Sequence, residues 1–345
     1  GLCPRPPSQG RITCNLCSAS CRLADGSSTS YCGLRRLEKD RLVSLSTPTR
    51  GLLSYYLDPH VTNCCNSWFC PGGTGLGYPR YAVRRGPEYG FYNLALFLYG
   101  CSFDCLFCQN WEHKLLGQAR TIQASDLVEV TLRNRAITCW CWFGGSPEPQ
   151  LPFVLHASRR IMEEKPSGRV LRICYEWNGD GHPELVRRAA ELAYESGGTV
   201  KFDLKAWTPE VHVALTGRDN KRALDNLAMV AEEFHGKGRF PPVLGASTLL
   251  VPGYVDEEEV EGIARFIASL SDDIPYTLLV FHPDFRMRDL PVTPEKQVWR
   301  CYEAARRHLR YVNVSNLHLL GYRATSLVMS LGERRGNVSL GPRQP

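Results

Sequence analysis

Three cysteines, Cys101, Cys105 and Cys108, follow an apolar run over residues 92–99 with the spacing C-x3-C-x2-C. Three thiolates on one tight loop suit an iron–sulfur cube that takes three of its ligands from the protein. The fourth iron of such a cube has no protein ligand and can bind a small molecule directly. The alternative is a zinc site, but zinc needs a fourth cysteine or histidine nearby, and His113 is the only such residue close by. The spacing therefore favours the iron–sulfur cluster.

This motif, with an aromatic residue inside its spacing and Gln109-Asn110 after it, resembles the radical SAM superfamily. The resemblance implies a [4Fe–4S] cluster on the three cysteines. It also implies that S-adenosylmethionine chelates the open iron through its amino and carboxylate groups. Cleavage of that cofactor to a 5′-deoxyadenosyl radical would let the enzyme take hydrogen from carbon that no base could deprotonate.

A glycine pair follows the second predicted strand and resembles the segment with which these enzymes hold the methionyl amino group. The segment comprises the pair, Gly144 and Gly145, together with Ser146 and Glu148. Adjacent glycines let the backbone approach a ligand closely. Taken alone, the segment could be any strand-to-helix turn. Its position relative to the cysteine motif favours a role in cofactor binding.

Three later strand ends carry further candidate cofactor contacts. Glu176 and Asn178 resemble the family's ribose-binding segment, although an ordinary Asn-Gly turn is the alternative. Asp203 and Lys205 share one face of a strand, where they contact the cofactor or form a structural ion pair. His282 is either a ligand contact or a core histidine, and its position at a strand end slightly favours the rim.

The stretches 96–110, 203–217, 248–253 and 281–294 together resemble the AmmeMemoRadiSam-system radical SAM proteins and the glycyl-radical-enzyme activases. The resemblance covers about residues 14–320. It implies an α/β fold, a partial (β/α)6 radical SAM barrel with a Cys-rich N-terminal module. It also implies one catalytic cluster and S-adenosylmethionine at the mouth of the barrel.

The periodicity of the chain agrees with that fold, because β-rich runs alternate with amphipathic helical stretches after residue 90. The predicted strands are 91–99, 136–143, 170–175, 199–204, 243–251, 276–281 and 311–314. The predicted helices are 151–164, 183–196, 256–270 and 294–308. We divide the chain into a Cys-rich metal-binding module with a wrapping segment (1–90), the barrel (91–323) and a mobile basic tail (324–345).

Composition narrows the class of protein. The 345 residues are 43% hydrophobic and 22% charged, with a net charge of +6, which is ordinary for a globular protein. No apolar run is long enough for a membrane span, and the first residues lack a signal-peptide core. The basic residues are dispersed, so neither nucleic acid nor membrane is expected as a partner. We expect a cytoplasmic enzyme.

Two other groups of residues predict metal or cofactor binding in the first 90 residues. The four thiols of Cys14, Cys17, Cys21 and Cys32 suit a closed structural zinc or single-iron site, or a second iron–sulfur cluster. The Asp58-Pro-His60 segment resembles the way in which some cobalamin proteins present an imidazole to cobalt. The alternative is that this segment is a loop packed on the barrel, with Cys64, Cys65 and Cys70 acting as small hydrophobic residues.

Taken with the resemblance, these features predict hydrogen abstraction from a protein substrate at a Cα, followed by C-methylation from methylcobalamin. Such an ending resembles the archaeal peptidyl C-methyltransferases that modify methyl-coenzyme M reductase, including a glutamine Cα. A flavodoxin or ferredoxin would supply the electron. The alternatives are a glycyl-radical-enzyme activase, an AmmeMemoRadiSam-type modification without cobalamin, and a non-catalytic iron–sulfur or zinc protein.

Overall fold

The computed structural model describes residues 4–26 and 29–322 and the two-residue strand at 326–327. The strands are β1 (Ile12–Cys14), β2 (Cys21–Leu23), β3 (Arg35–Glu38), β4 (Arg41–Ser44), β5 (Arg50–Pro59), β6 (Tyr92–Leu98), β7 (Thr121–Gln123), β8 (Ile137–Gly144), β9 (Arg172–Trp177), β10 (Val200–Asp203), β11 (Leu244–Leu250), β12 (Tyr276–Val280), β13 (Val312–Ser315) and β14 (Ser326–Leu327). The α-helices are α1 (Pro71–Thr74), α2 (Ala124–Arg133), α3 (Leu151–Glu164), α4 (Pro183–Ser196), α5 (Pro209–Thr216), α6 (Lys221–Phe234), α7 (Glu257–Leu270) and α8 (Glu295–Arg306).

Ten strands form the main sheet, in the order β14-β13-β12-β11-β10-β9-β8-β6-β5-β7. Within the described residues, the seven strands from β6 to β13, without β7, run parallel to one another. These are the seven strands predicted from the sequence. Their connections carry helices, as parallel pairing requires. The expected partial barrel of α/β class is therefore confirmed.

The helices between the strands cover the outer face of the sheet and bury apolar stripes against it. Both α3 and α4 have the bounds that the periodicity predicts, and each has proline in its first turn, where the missing N–H costs nothing. The α7 helix begins after Asp256, whose carboxylate accepts two backbone N–H groups of the first turn. The sequence reading did not predict α2, α5 or α6.

The strand β5 connects the N-terminal region to the barrel. It pairs antiparallel with β6 along its length from Leu53 to Pro59, and its first residues pair with β7. The segment 50–59 is therefore part of the main sheet, and the sheet continues across the expected boundary at residue 90. Two small hairpins, β1-β2 and β3-β4, precede it. The division into modules stays a prediction.

Apart from β14, which pairs antiparallel with β13, the predicted mobile tail at 324–345 lies outside the described residues. None of the helices that the structure describes is both long and apolar enough to cross a lipid bilayer.

Candidate active site

The carboxyl ends of β8, β9 and β10 and the loop that follows β6 surround a cavity of about 150 Å³, which we call the first chamber. Its walls include all three cysteines of the C-x3-C-x2-C motif. They also include seven of the nine predicted cofactor contacts: Gly144, Gly145, Ser146, Glu176, Asn178, Asp203 and Lys205. Because parallel strands end at the same edge, residues far apart in sequence meet here.

The cysteine loop is fixed to its neighbours by backbone hydrogen bonds. The N–H of Gly100 donates to the carbonyl of His113 at 2.9 Å, which closes the loop at its base. The N–H groups of Asp104 and Leu106 donate to carbonyls at the end of α5, each at 2.9 Å. The loop is thus held between two parts of the barrel rim before any ligand binds.

The three thiols are largely shielded from solvent. Burial is the main cause that raises the pKa of Cys101 and Cys105 to about 12 and that of Cys108 to about 11. Each also feels one of the other two as a nearby like charge. Thiols with such pKa values stay protonated unless a metal replaces the proton, and metal ligation deprotonates a thiol outright.

The glycine pair packs directly on the cysteine loop. A Cβ added to Gly145 would lie 2.1 Å from the carbonyl oxygen of Gly100. The φ of Gly144 is +109°, a conformation that side chains rarely adopt. Cys101 donates from its sulfur to the Gly145 carbonyl at 3.2 Å. The sequence therefore requires glycine here because backbone meets backbone.

The segment that ends β9 also touches the cysteine loop. Asn178 donates from its side chain to the sulfur of Cys101 at 3.3 Å and to the hydroxyl of Ser102 at 3.1 Å. Its backbone N–H donates to the hydroxyl of Ser146 at 3.1 Å. Asn178 thereby joins the cysteine loop to the glycine turn, which a simple Asn-Gly turn would not do.

Charged side chains form the deeper wall. Lys201 lies 2.9 Å from Glu176, and Asp203 is paired with Lys205. Burial alone would raise the pKa of Glu176 and Asp203, but the neighbouring lysines hold both below their usual values. Both pairs are therefore ionised at neutral pH. Asp203 and Lys205 thus form an ion pair with each other and also line the first chamber.

Two predicted contacts do not line the first chamber. Glu148 is fully buried, and its carboxylate accepts the Gly179 N–H at 2.6 Å. Burial and the nearby Asp180 raise the pKa of Glu148 to about 8. His282 is half-buried and its Nδ1 lies 3.0 Å from the carbonyl oxygen of Pro283. Neither residue is among those that surround the chamber.

A second chamber, of about 380 Å³, adjoins the first and lies deeper in the barrel. Glu176, Lys201 and Asp203 line both. His60 is part of the wall of the second chamber and lies 3.3 Å from the Thr138 hydroxyl. Burial, with the nearby Arg172, lowers the pKa of His60 to about 4. His60 is therefore neutral at pH 7.

The four N-terminal cysteines lie near one another. Cys14 and Cys21 face each other across the β1-β2 hairpin. Burial raises the pKa of Cys17, with Asp180, Cys32 and Cys21 adding to the effect. Their metal remains a prediction. Within residues 4–26 and 29–322, no three histidine, cysteine or acidic side chains are arranged as a preformed metal-binding group.

Sequence reasoning missed Lys201, Phe143 and Phe107 as chamber residues. The signal for Lys201 was available. In the string Lys201-Phe202-Asp203, alternation on a strand places the lysine on the same face as the aspartate. Phe107 lies inside the C-x3-C-x2-C spacing, so the motif itself was a signal for it. Phe143 carries no such signal, because an aromatic residue beside a strand end is as common in a core.

The residues around the first chamber fit an iron–sulfur cluster with an adjacent small ligand. Cys101, Cys105 and Cys108 supply three thiols on one wall, and thiolates are the ligands that such clusters use. The Gly144-Gly145 turn lies beside them in the same wall, where a Cβ on either glycine would collide with the backbone of Leu98 or Gly100. The fit rests on the type and position of the donors.

Comparison with known proteins agrees with this site. The model of the radical SAM superfamily matches residues 96–267, about half of the chain. The isethionate sulfite-lyase activating enzyme of Desulfovibrio desulfuricans is 35% identical over 141 residues, which are 40% of this chain and 40% of that protein. A Methanocaldococcus jannaschii protein, provisionally named a glycyl-radical enzyme activating enzyme, is 28% identical over 34% of this chain and 44% of its own length.

The matched stretches thus span less than half of either relative. Among solved structures, a domain of pyruvate-formate lyase-activating enzyme from Bacteroides vulgatus is 18% identical, covering 51% of this chain and 97% of that chain with a TM-score of 0.41. The family match includes the three cysteines, the glycine turn and the strands that carry the chamber. The chain belongs to the radical SAM superfamily.

Proposed function

We propose that this radical SAM enzyme abstracts hydrogen from an unactivated carbon of a protein substrate, most directly a Cα. The observation that carries the proposal is the convergence of the cysteine loop, the glycine turn, Asn178 and the Asp203–Lys205 pair on one chamber. The chamber opens at the carboxyl ends of the parallel strands, where enzymes of barrel architecture place their reactive groups.

Cys101, Cys105 and Cys108 would hold the [4Fe–4S] cluster. With S-adenosylmethionine bound, the cluster would supply reductive cleavage of the cofactor and a carbon radical able to remove hydrogen. The backbone of Gly144 and Gly145 lies beside the cysteines and would receive the methionyl group. Glu176 is held in place by Lys201 and presents a fixed anionic group to the rest of the ligand.

An exposed apolar strip near the chambers supports a macromolecular substrate. Tyr55, Tyr56 and Leu57 are consecutive on β5, and their side chains are 37%, 52% and 43% exposed. Tyr56 reaches the wall of the second chamber. The pairing of β5 with β7 ends at Leu52, so this part of β5 is paired with β6 alone. Exposed apolar side chains on such an open strand edge mark a site where another chain can dock. The named relatives are activating enzymes, which act on other proteins, and this supports the same conclusion.

Two endings follow hydrogen abstraction. If the radical is left on the partner, the protein is a glycyl-radical-enzyme activase, and the names of its relatives favour this ending. The other ending is C-methylation from methylcobalamin, for which His60 and Asp58 in the wall of the second chamber would serve. The comparisons lend no support to cobalamin, and His60 already has Thr138 as a buried neighbour. We therefore place the methyltransferase ending second.

Reductive cleavage is the direct test. The anaerobically reconstituted full chain is mixed with S-adenosylmethionine and dithionite, and 5′-deoxyadenosine is measured by chromatography. We expect product from the unmodified chain and from C301A, because Cys301 is buried on α8 and lines neither chamber. C105A should give none. Equal product from C105A and the unmodified chain would contradict the assignment of the cluster.

The substrate class and the ending need separate measurements. With S-adenosylmethionine deuterated at the methyl group, transfer of the label into a co-purifying protein would identify a methyltransferase. A glycyl radical detected by electron paramagnetic resonance in the partner would identify an activase. If corrinoid absorption is lost on desalting after incubation with cobalamin, the methylcobalamin ending is excluded.

A further inference from the structure

Six cysteines outside the C-x3-C-x2-C motif line the second chamber. They are Cys64, Cys65, Cys70, Cys139, Cys141 and Cys174. In the linear sequence they fall into three groups that are more than 30 residues apart. Such convergence is not expected of cysteines that serve only as small hydrophobic residues.

The first three come from a loop, residues 61–74, that enters the interior of the barrel and that we call the plug. The indole of Trp68 donates to the Thr277 hydroxyl on β12 at 3.0 Å, and that hydroxyl donates to the Cys65 carbonyl at 3.0 Å. A Cβ on Gly245 of β11 would lie 2.8 Å from the ring of Phe69. The plug therefore reaches across the barrel and is held against its far wall.

The other three come from inward-facing positions of neighbouring strands. Cys139 and Cys141 alternate with Trp140 and so share a face of β8, and Cys174 lies on β9. The sulfur atoms of Cys139 and Cys174 are 3.4 Å apart. Two thiolates on one tetrahedral metal ion with bonds of about 2.3 Å are about 3.8 Å apart. The strand pair is thus already close to the spacing that a shared metal ion would impose.

Backbone N–H groups point at several of these sulfurs. Thr199 donates to Cys174 at 3.4 Å, Gly73 to Cys70 at 3.3 Å and Asn66 to Cys64 at 3.4 Å. The same kind of bond occurs in the cysteine loop of the first chamber, where Phe103 donates to Cys101 at 3.4 Å. Hydrogen bonds to sulfur stabilise thiolate ligands and tune iron–sulfur clusters.

The wall of the second chamber contains charged side chains and encloses an empty space, whereas a protein core is apolar and closely packed. Arg172, Glu176 and Lys201 share the wall with the thiols around a space of about 380 Å³. Packed protein interiors contain few voids larger than a water molecule. The chamber is therefore built to contain a ligand.

We propose that the second chamber binds a second iron–sulfur cluster, with Cys139 and Cys174 on one side and Cys70 and Cys64 of the plug on the other. Iron and sulfide fit better than zinc, because four thiols suit either metal but the space of about 380 Å³ exceeds that of a single ion. The plug thiols would turn toward the strand pair on binding. The proposal does not depend on the nature of the protein substrate.

The test compares iron and acid-labile sulfide in anaerobically reconstituted full chains. Two thiolates on one iron are typical of a [2Fe–2S] cluster, so C139S/C174S should contain about two fewer irons per chain than the unmodified protein, with a matching loss of sulfide. It should still cleave S-adenosylmethionine reductively, since the first cluster is intact. C101A/C105A/C108A should lose cleavage but contain about two more irons, and more sulfide, than the same variant with C139S/C174S added. C301S serves as the control for removing a buried thiol. Metal at the four N-terminal cysteines is common to all of these chains and cancels in the comparison.

The outcomes are distinguishable. If C139S/C174S and C70S both bind as much iron and sulfide as the unmodified chain, the proposal is wrong. It is equally wrong if C101A/C105A/C108A has no sulfide-containing cluster, or if the chamber cysteines bind zinc alone. A misfolded C139S/C174S variant would lack reductive cleavage too, and in that case the iron and sulfide content of C70S decides the outcome. Failure of the proposed function would instead appear as absence of 5′-deoxyadenosine from every chain.

Discussion

The buried ion pair between Glu88 and Arg172 offers a sharp test of how the segment before β6 is held on the barrel. Neither side chain has more than 1% of its surface exposed. The carboxylate of Glu88 accepts from both terminal nitrogens of Arg172, at 2.9 and 2.7 Å. It also accepts from the Val83 N–H at 2.9 Å and the Thr138 hydroxyl at 2.7 Å. These contacts hold the pKa of Glu88 below its usual value, although burial alone would raise it.

Replacing Glu88 by glutamine keeps the shape but removes the charge. One amide oxygen can still accept from Val83 and from one nitrogen of Arg172. The amide nitrogen then faces the second guanidinium nitrogen donor to donor, although the Thr138 hydroxyl can rotate to accept from it. The unpaired guanidinium charge and the lost charge-assisted hydrogen bond should cost roughly 3 to 5 kcal/mol, as breaking a buried ion pair does.

Urea unfolding of E88Q at pH 7 measures this loss. With a slope on the order of 3 kcal/mol/M, the midpoint should fall by about 1 M or more. D225A is the matched control, because its partner Lys221 is exposed and the pair lies on the surface of α6. Such a pair contributes about 0.5 kcal/mol or less, so the midpoint of D225A should hardly move.

A double variant separates the two explanations for instability. E88L/R172M replaces the whole ion pair with apolar side chains, which leaves no unpaired charge, so it should be more stable than E88Q. A free energy of unfolding for E88Q within about 1 kcal/mol of the unmodified protein would refute the reasoning. So would a double variant that is less stable than E88Q.

Three further predictions follow from the site and its supports. G145A should abolish cleavage of S-adenosylmethionine, because its Cβ would meet the carbonyl oxygen of Gly100 at 2.1 Å; G117A, with no atom within 4 Å, should retain full activity in the same assay. N178L removes two hydrogen bonds to the cysteine loop, so it should lower the rate of 5′-deoxyadenosine formation at least about 10-fold while the iron content falls less. The third concerns stability in acid, because burial lowers the pKa of His212 to about 4 in the folded protein. Between about pH 6.5 and pH 4 the unfolded chain binds a proton at this histidine and the folded chain does not. The free energy of unfolding should therefore fall by about 3 kcal/mol over that range. In urea titrations, H212Q should therefore lose less stability than the unmodified chain between pH 7 and pH 4; equal losses would contradict the assignment.

The strands of the barrel could be predicted because each buried parallel strand is a short apolar run bounded by turn residues. The predicted range 276–281, for example, became Tyr276–Val280. The bounds of α4 were also predictable, since a proline begins it and Gly197, at φ +85°, ends it. These are local signals, carried within a few residues.

Two of the elements that were missed, α5 and β5, have no such local signal. The α5 helix has eight residues, too few for periodicity to decide. The β5 strand has consecutive Leu52-Leu53 and Tyr55-Tyr56 in place of alternation, and it forms because β6 offers a free edge. Its strand character is therefore set by pairing with a distant segment, which a window of sequence does not contain.

The position of the plug was equally out of reach. Cys64, Cys65 and Cys70 gave no reason to lie beside Cys139 or Cys174, because the contacts of the plug are with β11 and β12, about 170 to 210 residues further along the chain. The alternative of a loop packed against the barrel came nearest, but the plug packs inside.

One feature of the strands links the two chambers. On β8, Cys141 and then Phe143 face inward, and on β9 the inward pair is Cys174 and Glu176. Each strand thus gives a thiol to the deeper chamber and a different group to the upper wall, two residues further along. Because the side-chain period of a strand is two, the alternation that buries Trp142 in the outer layer also fixes both inward sets. A register slip of one residue would therefore remove the thiols of the second chamber and the upper-wall groups of the first together, whereas replacing single side chains can affect one chamber alone.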